Sequence, residues 1–247
     1  MMPPLALLAV LFLGFFVESI VGFGATILAV SLGSNFLAVP ELLPSYVPVN
    51  MGLSAWVVLT EARHIDRPLL TRRIVPFVGS GTLVGLSLTR FAGRPEPLAL
   101  FAVFVIVMAS LELRKTLRNA VLRPGPRVAN AALLLGGVIQ GVFGAGGPLI
   151  VFAVGQEIQS KRVFRATLAL TWLTMNLALM VNFARLGRLG VLSATRSVSF
   201  VLPLALAFAL GNRVHHAISE RRFRVGAAAM MMLAGALLLL RQLSALS

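Results

Sequence analysis

Two short stretches, Gln140-Gly141-Val142-Phe143-Gly144-Ala145-Gly146-Gly147-Pro148 and Glu18-Ser19-Ile20-Val21-Gly22-Phe23-Gly24-Ala25-Thr26, interrupt long apolar runs, and their reading decides the fold. Glycine permits a positive φ and close backbone approach. Pro148 suits the first turn of a new helix, where its missing N–H leaves no lost bond. Both stretches therefore read as helix breaks. Inside lipid a break is tolerated only where protein or a water-filled cavity surrounds it.

The flanking sequence places these breaks in a membrane. Hydrophobic residues make up 58% of the 247 and charged residues only 12%, against about 25% charged in soluble domains. The mean hydropathy is +0.92. Apolar runs near the ~20 residues needed to span a bilayer as a helix recur along the chain, and the alternating polarity of a membrane barrel is absent. The absence of cysteine excludes disulfides, thiolate metal sites and cysteine nucleophiles. The formal charge of +14 does not imply a nucleic-acid partner, because Lys and Arg lie in short loops between apolar runs, where basic excess sets topology. Met1 to Phe16 lacks the basic start and small-residue cleavage site of a secretory signal, so it is expected to be retained. The expected location is a bacterial-type inner membrane, crossed many times.

Apolar segments run from Leu5 to Ile20, Ala25 to Ala38, Leu42 to Leu59, Ile74 to Phe91 and Leu98 to Leu113. A second group covers Val128 to Phe143, Pro148 to Ile158, Val163 to Phe183, Val191 to Leu210 and Val225 to Leu240. Shifting by 122 positions places Gly14 on Gly136, Gly22 on Gly144, Gly24 on Gly146, Gly33 on Gly155 and Arg63 on Arg185. Internal symmetry of this kind points to a transporter. If the breaks ran straight through the membrane, the 22 basic residues would divide 13 to 9 between its sides; if the chain bends back at each break, they divide 16 to 6. The positive-inside rule prefers the second arrangement. The expected fold is thus an all-α polytopic membrane protein of two inverted repeats, each a broken-helix hairpin followed by three transmembrane helices. Residues 1–113 form the first repeat, 114–127 a basic cytoplasmic linker and 128–247 the second repeat, with both termini outside.

A break exposes unpaired N–H groups at the start of the following half-helix, where the macrodipole contributes about half a positive charge. Two such starts meeting near the midplane would attract an anion without a buried Arg or Lys. The competing reading is that the glycines only allow close helix packing. Gly141 to Pro148 resembles the glycine-rich turn of the TauE/SafE sulfite exporters, also called toluene sulfonate uptake permeases. Length, duplication and the basic midpoint linker extend the resemblance over essentially the whole chain. The first turn departs from the pattern, continuing with Ala25-Thr26 where many members have more glycine. The resemblance implies secondary transport of small sulfur-containing anions of the sulfite, sulfonate or sulfoacetate class.

The expected substrate-binding residues are Gly22, Phe23, Gly24, Ala25 and Thr26 in the first turn and Gly144, Ala145, Gly146 and Gly147 in the second. Asn50, Ser54, Thr171, Trp172 and Asn176 join them from the neighbouring helices. Hydroxyl and amide groups can bind sulfonate oxygens as neutral donors; their other role is interhelical hydrogen bonding worth ~0.6 kcal/mol. Glu18 is an acidic residue well inside an apolar stretch, and an intramembrane carboxyl group invites a proton-coupling role; Gln140 aligns with it as a neutral counterpart. Arg63 and Arg185 are read as snorkelling to the headgroups. His64, His215 and His216 have no metal-site spacing, and Gln156 and Glu157 fall at the end of the second hairpin. No cofactor is expected. No nucleophile–base set or phosphate loop is present, so an enzyme is disfavoured. An anion channel or a carboxylate transporter on the same fold remains the alternative.

Overall fold

Apolar runs with no alternation can satisfy their backbone in lipid only as helices, and every regular element among the described residues is helical. The computed structural model describes residues 3–21, 24–118, 125–155, 157–158, 160–214 and 220–246. The elements of the first half are α1 (Leu5–Val21), α2 (Ala25–Leu28, continued by a π-helical turn over Ala29–Gly33), α3 (Val39–Glu61), α4 (Arg67–Leu69, followed by a π-helical turn over Leu70–Ile74), α5 (Val75–Leu88) and α6 (Pro95–Arg118). Those of the second half are α7 (Pro126–Phe143), α8 (Gly147–Val154), α9 (Lys161–Arg185), α10 (Val191–Val214) and α11 (Glu220–Leu246). Seven helices among the described residues are long and apolar enough to cross a membrane, making the chain a polytopic helical membrane protein.

Two pairs of element starts share the 122-position spacing of the glycines. Ala25 and Gly147, which start α2 and α8, stand 122 positions apart, as do Val39 and Lys161, which start α3 and α9. The first helical arm of each half is followed by a short helix that doubles back along it. In the second half a Cβ on Gly136 would lie 2.9 Å from Ile150 Cγ1 and 3.2 Å from the Gly146 carbonyl oxygen. In the first, a Cβ on Gly14 would lie 3.0 Å from the Ala25 carbonyl oxygen, and one on Gly33 would lie 3.2 Å from Leu7 Cδ1. α6 continues to Arg118, past the expected end at Leu113. Its last turn carries Lys115 and Arg118, and Lys115 pairs with Glu112 one turn back, so the helix outlasts its apolar stretch.

The chain forms two compact units. One combines Met1–Leu42, Arg90–Leu122 and Val198–Ser247, and the other Leu43–Thr89 and Arg123–Ser197. Each therefore draws on both halves of the sequence. Within the first unit, Gly235 of α11 lets that helix close on α6, its absent Cβ facing Ile106 Cγ1 at 2.9 Å and the Ala102 carbonyl oxygen at 3.2 Å. Within the second, α5 and α7 cross through reciprocal glycines. A Cβ would stand 2.1 Å from the Leu134 carbonyl oxygen on Gly81, 2.2 Å from that of Val138 on Gly85, 2.3 Å from that of Val78 on Gly137 and 2.4 Å from that of Thr82 on Gly141. No side chain fits there. In lipid, where apolar burial between helices gains little, such backbone contact is what holds helices together. A core of Ile74, Val78, Leu133, Ile150, Val154 and Leu168 fills the space beside this crossing.

Candidate anion-binding site

The second hairpin turns where α7 ends. The Gly144 N–H donates to the Gln140 carbonyl oxygen at 2.8 Å, and Gly144 takes the left-handed φ of 67°, a conformation costly for a residue with a Cβ. α8 then starts at Gly147 with Pro148 in its first turn. Ile150 N–H reaches back to the Gly146 carbonyl oxygen. Among the described residues, the N–H groups of Ala145, Gly147 and Leu149 have no acceptor. Ala145, Gly146, Gly147 and Pro148 are all buried. These donors collect at the positive end of a helix shielded from water, where a polar group without a partner is costly and an anion is favoured.

One donor of the turn is already satisfied. The Gly146 N–H donates to Gln140 Oε1 at 3.1 Å. Gln140 is 2% exposed, and its Nε2 donates to Asn176 Oδ1 at 3.0 Å. Asn176 Nδ2 in turn donates to Asn50 Oδ1 at 2.9 Å. The structure thus brings Gly146, Gln140, Asn176 and Asn50 into one buried chain of amides. Ser54 and Thr171 are also buried. The Thr171 hydroxyl donates to the Thr167 carbonyl of its own helix at 2.9 Å. Trp172 packs half-buried against the apolar core of this unit, whereas Trp56 is 63% exposed.

The first hairpin repeats the capping with a different side chain. The Ala25 N–H donates to Glu18 Oε2 at 3.0 Å, so Glu18 caps α2 as Gln140 caps the turn before α8. Gly24 adopts a φ of 114°. A carboxylate at a helix start complements the macrodipole, and when ionised it already supplies the negative charge that a substrate would bring. Thr26 is half-buried. Gly22 and Phe23, expected in this turn, lie outside the described residues, as do Gln156, His215 and His216.

The supports of the second hairpin went unread in the sequence. Arg73 forms an ion pair with Glu157 and donates from Nε to Asn130 Oδ1 at 2.8 Å, so one guanidinium bridges the two arms. Thr89 Oγ1 donates to the Gly141 carbonyl oxygen at 3.0 Å. The four-residue spacing of Gly81 and Gly85 was the available signal for the α5–α7 crossing; nothing marked Arg73, since a basic residue at a helix end is commonplace. No group of His, Asp and Glu among the described residues could hold a metal ion.

The family model for "Sulfite exporter TauE/SafE" matches residues 6–238 of the chain. No curated protein and no solved structure matches it.

Proposed function

Because the chain belongs to the TauE/SafE sulfite exporter family, and so is a multi-pass membrane transporter with a general role in anion export, we propose that it carries small sulfur-containing anions of the sulfite, sulfonate or sulfoacetate class by proton-coupled alternating access. The observation that carries this reading is the buried start of α8, where the Ala145, Gly147 and Leu149 N–H groups face no protein acceptor among the described residues and the neighbouring cap, Gln140, is neutral. Main-chain donors of this kind bind an oxyanion without the cost of burying a cation, about 2.5–3.5 kcal/mol or more for Arg or Lys at the bilayer centre. Gly144, Ala145, Gly146 and Gly147 are the substrate residues in this account, with Ser54, Thr171 and Trp172 on the surrounding helices. Glu18 carries the coupling proton. Its carboxyl group accepts the Ala25 N–H, and loss of its charge would change the polarity of the first turn.

The same reading takes residues 1–113 and 128–247 as inverted repeats around a cytoplasmic linker at 114–127, in an inner membrane. Both hairpins doubling back and the 16 to 6 division of basic residues favour it.

The test is flux of labelled sulfite in proteoliposomes. Saturable uptake that follows an imposed pH gradient, and loses that dependence in Glu18→Gln, is the expected result. Unsaturable conductive flux would identify a channel instead. A thermal-shift response confined to carboxylates, since ligands raise the apparent stability of the folded state they bind, would replace the sulfur anion with a carboxylate.

A further inference from the structure

The amide chain of the second unit has a direction, and the main chain sets it. A backbone N–H can only donate, so the Gly146 N–H requires an oxygen of Gln140 opposite it, and it finds Oε1 at 3.1 Å. The other end of that carboxamide must then be the NH2 group, which requires an oxygen of Asn176; Oδ1 lies at 3.0 Å. Asn176 is left to donate from Nδ2, and Asn50 presents Oδ1 at 2.9 Å. Each amide orientation follows from the one before it. Gln140, Asn176 and Asn50 are 2%, 5% and 5% exposed, so water does not compete for these bonds. Asn176 spends its oxygen on Gln140 and its nitrogen on Asn50, which makes it a support of the site more than a ligand.

We propose that Asn50 and Asn176 are positioning residues that hold the Gln140 carboxamide with its oxygen on Gly146, and that Gln140 determines anion acceptance at the second turn by capping it without charge. This rests on the anion-transport reading above. The comparison lies within the chain itself, since the equivalent cap of the first turn is the carboxyl group of Glu18 on the Ala25 N–H. A glutamate at 140 would also accept the Gly146 N–H, but its second oxygen could not donate to Asn176 when ionised. Asn176 and then Asn50 would have to turn over, and a negative charge would stand beside the Ala145, Gly147 and Leu149 donors. If Gln140 were instead free to rotate, its NH2 group would face the Gly146 N–H and leave both donors unpaired.

The experiment measures KM for sulfite in proteoliposomes across pH for the wild type, Gln140→Glu, Asn176→Leu and Asn50→Leu, with thermal midpoints of each. Gln140→Glu changes neither length nor shape, and the fold accommodates a glutamate at the matching position in the first half. It is expected to raise KM about tenfold at neutral pH, because the new negative charge beside the donors repels the anion, and to recover as pH falls and the new carboxyl group takes up a proton. That acid recovery is a readout that a purely structural residue would not produce. The leucine variants are expected to raise KM without acid recovery. A KM within twofold of the wild type in Gln140→Glu at all pH values, or in both leucine variants, overturns the positioning role while leaving the transport reading intact. Absence of any sulfite uptake by the wild type overturns both.

Discussion

A methyl group on Gly146 would stand 2.0 Å from the Gly136 carbonyl oxygen and 3.0 Å from Gln140 Cβ. Neither neighbour can yield easily, because the first is backbone and the second is fixed by its hydrogen bonds. Gly146→Ala is therefore expected to push α8 away from α7 at a cost of about 1–3 kcal/mol, seen as a lower thermal midpoint. Gly52 is the comparison. A Cβ there meets nothing within 4 Å, and Gly52→Ala is expected to change stability by less than about 0.5 kcal/mol. Equal midpoints for the two variants would mean that the arms do not touch at Gly146. At this scale the sequence was partly legible. The alignment of Gly14 with Gly136 and Glu18 with Gln140 was visible at one offset, and in the structure those glycines line the arm contacts while the polar pair caps the turns. That Asn176 would be consumed by Gln140 and Asn50 was not legible, since an isolated amide in an apolar helix looks the same whether it meets a ligand or another amide.

Among the elements, α7 ends at Phe143 and α8 starts at Gly147, inside the stretch where glycine and Pro148 predict a break, while α1 ends at Val21 and α2 starts at Ala25, with Gly22 and Phe23 outside the described residues. The second helix of the first hairpin was expected over Ala25 to Ala38, yet it is α-helical only to Leu28 and then widens to a π-helical turn over Ala29–Gly33. A π turn adds a residue to the turn without changing composition, so apolarity alone could not announce it. Pro44 and Pro48 lie inside α3, where a soluble helix would be expected to break; membrane helices tolerate proline because neighbouring groups satisfy the freed carbonyls. The path of α7 and α8 carries a prediction of its own. The chain has no cysteine, so single cysteines at Arg127 and Ser160, both exposed, can be labelled with a membrane-impermeant thiol reagent without a background reaction. Both are expected to react from the cytoplasmic face, as is a cysteine at Arg63. Labelling of positions 127 and 160 from opposite faces would show that this segment crosses the bilayer.

For the whole molecule, the sequence halves and the compact units do not coincide. Each unit is assembled from pieces of both halves of the sequence, a distribution that an alignment of positions cannot show because it does not say which helices pack. Glycine supplies the packing: α5 and α7 meet through Gly81, Gly85, Gly137 and Gly141, and α6 and α11 through Gly235. Membership of an anion-exporting family sets the general role, while the turn before α8 is where the chain itself offers a place for the anion. The most direct measurement is a titration of labelled protein in lipid with sulfite, following the backbone amide nitrogen resonances of Ala145, Gly147 and Leu149 by solid-state NMR. A saturable displacement of these resonances, weaker in Gln140→Glu, is the predicted result. Unchanged resonances at sulfite concentrations that saturate transport would contradict the account.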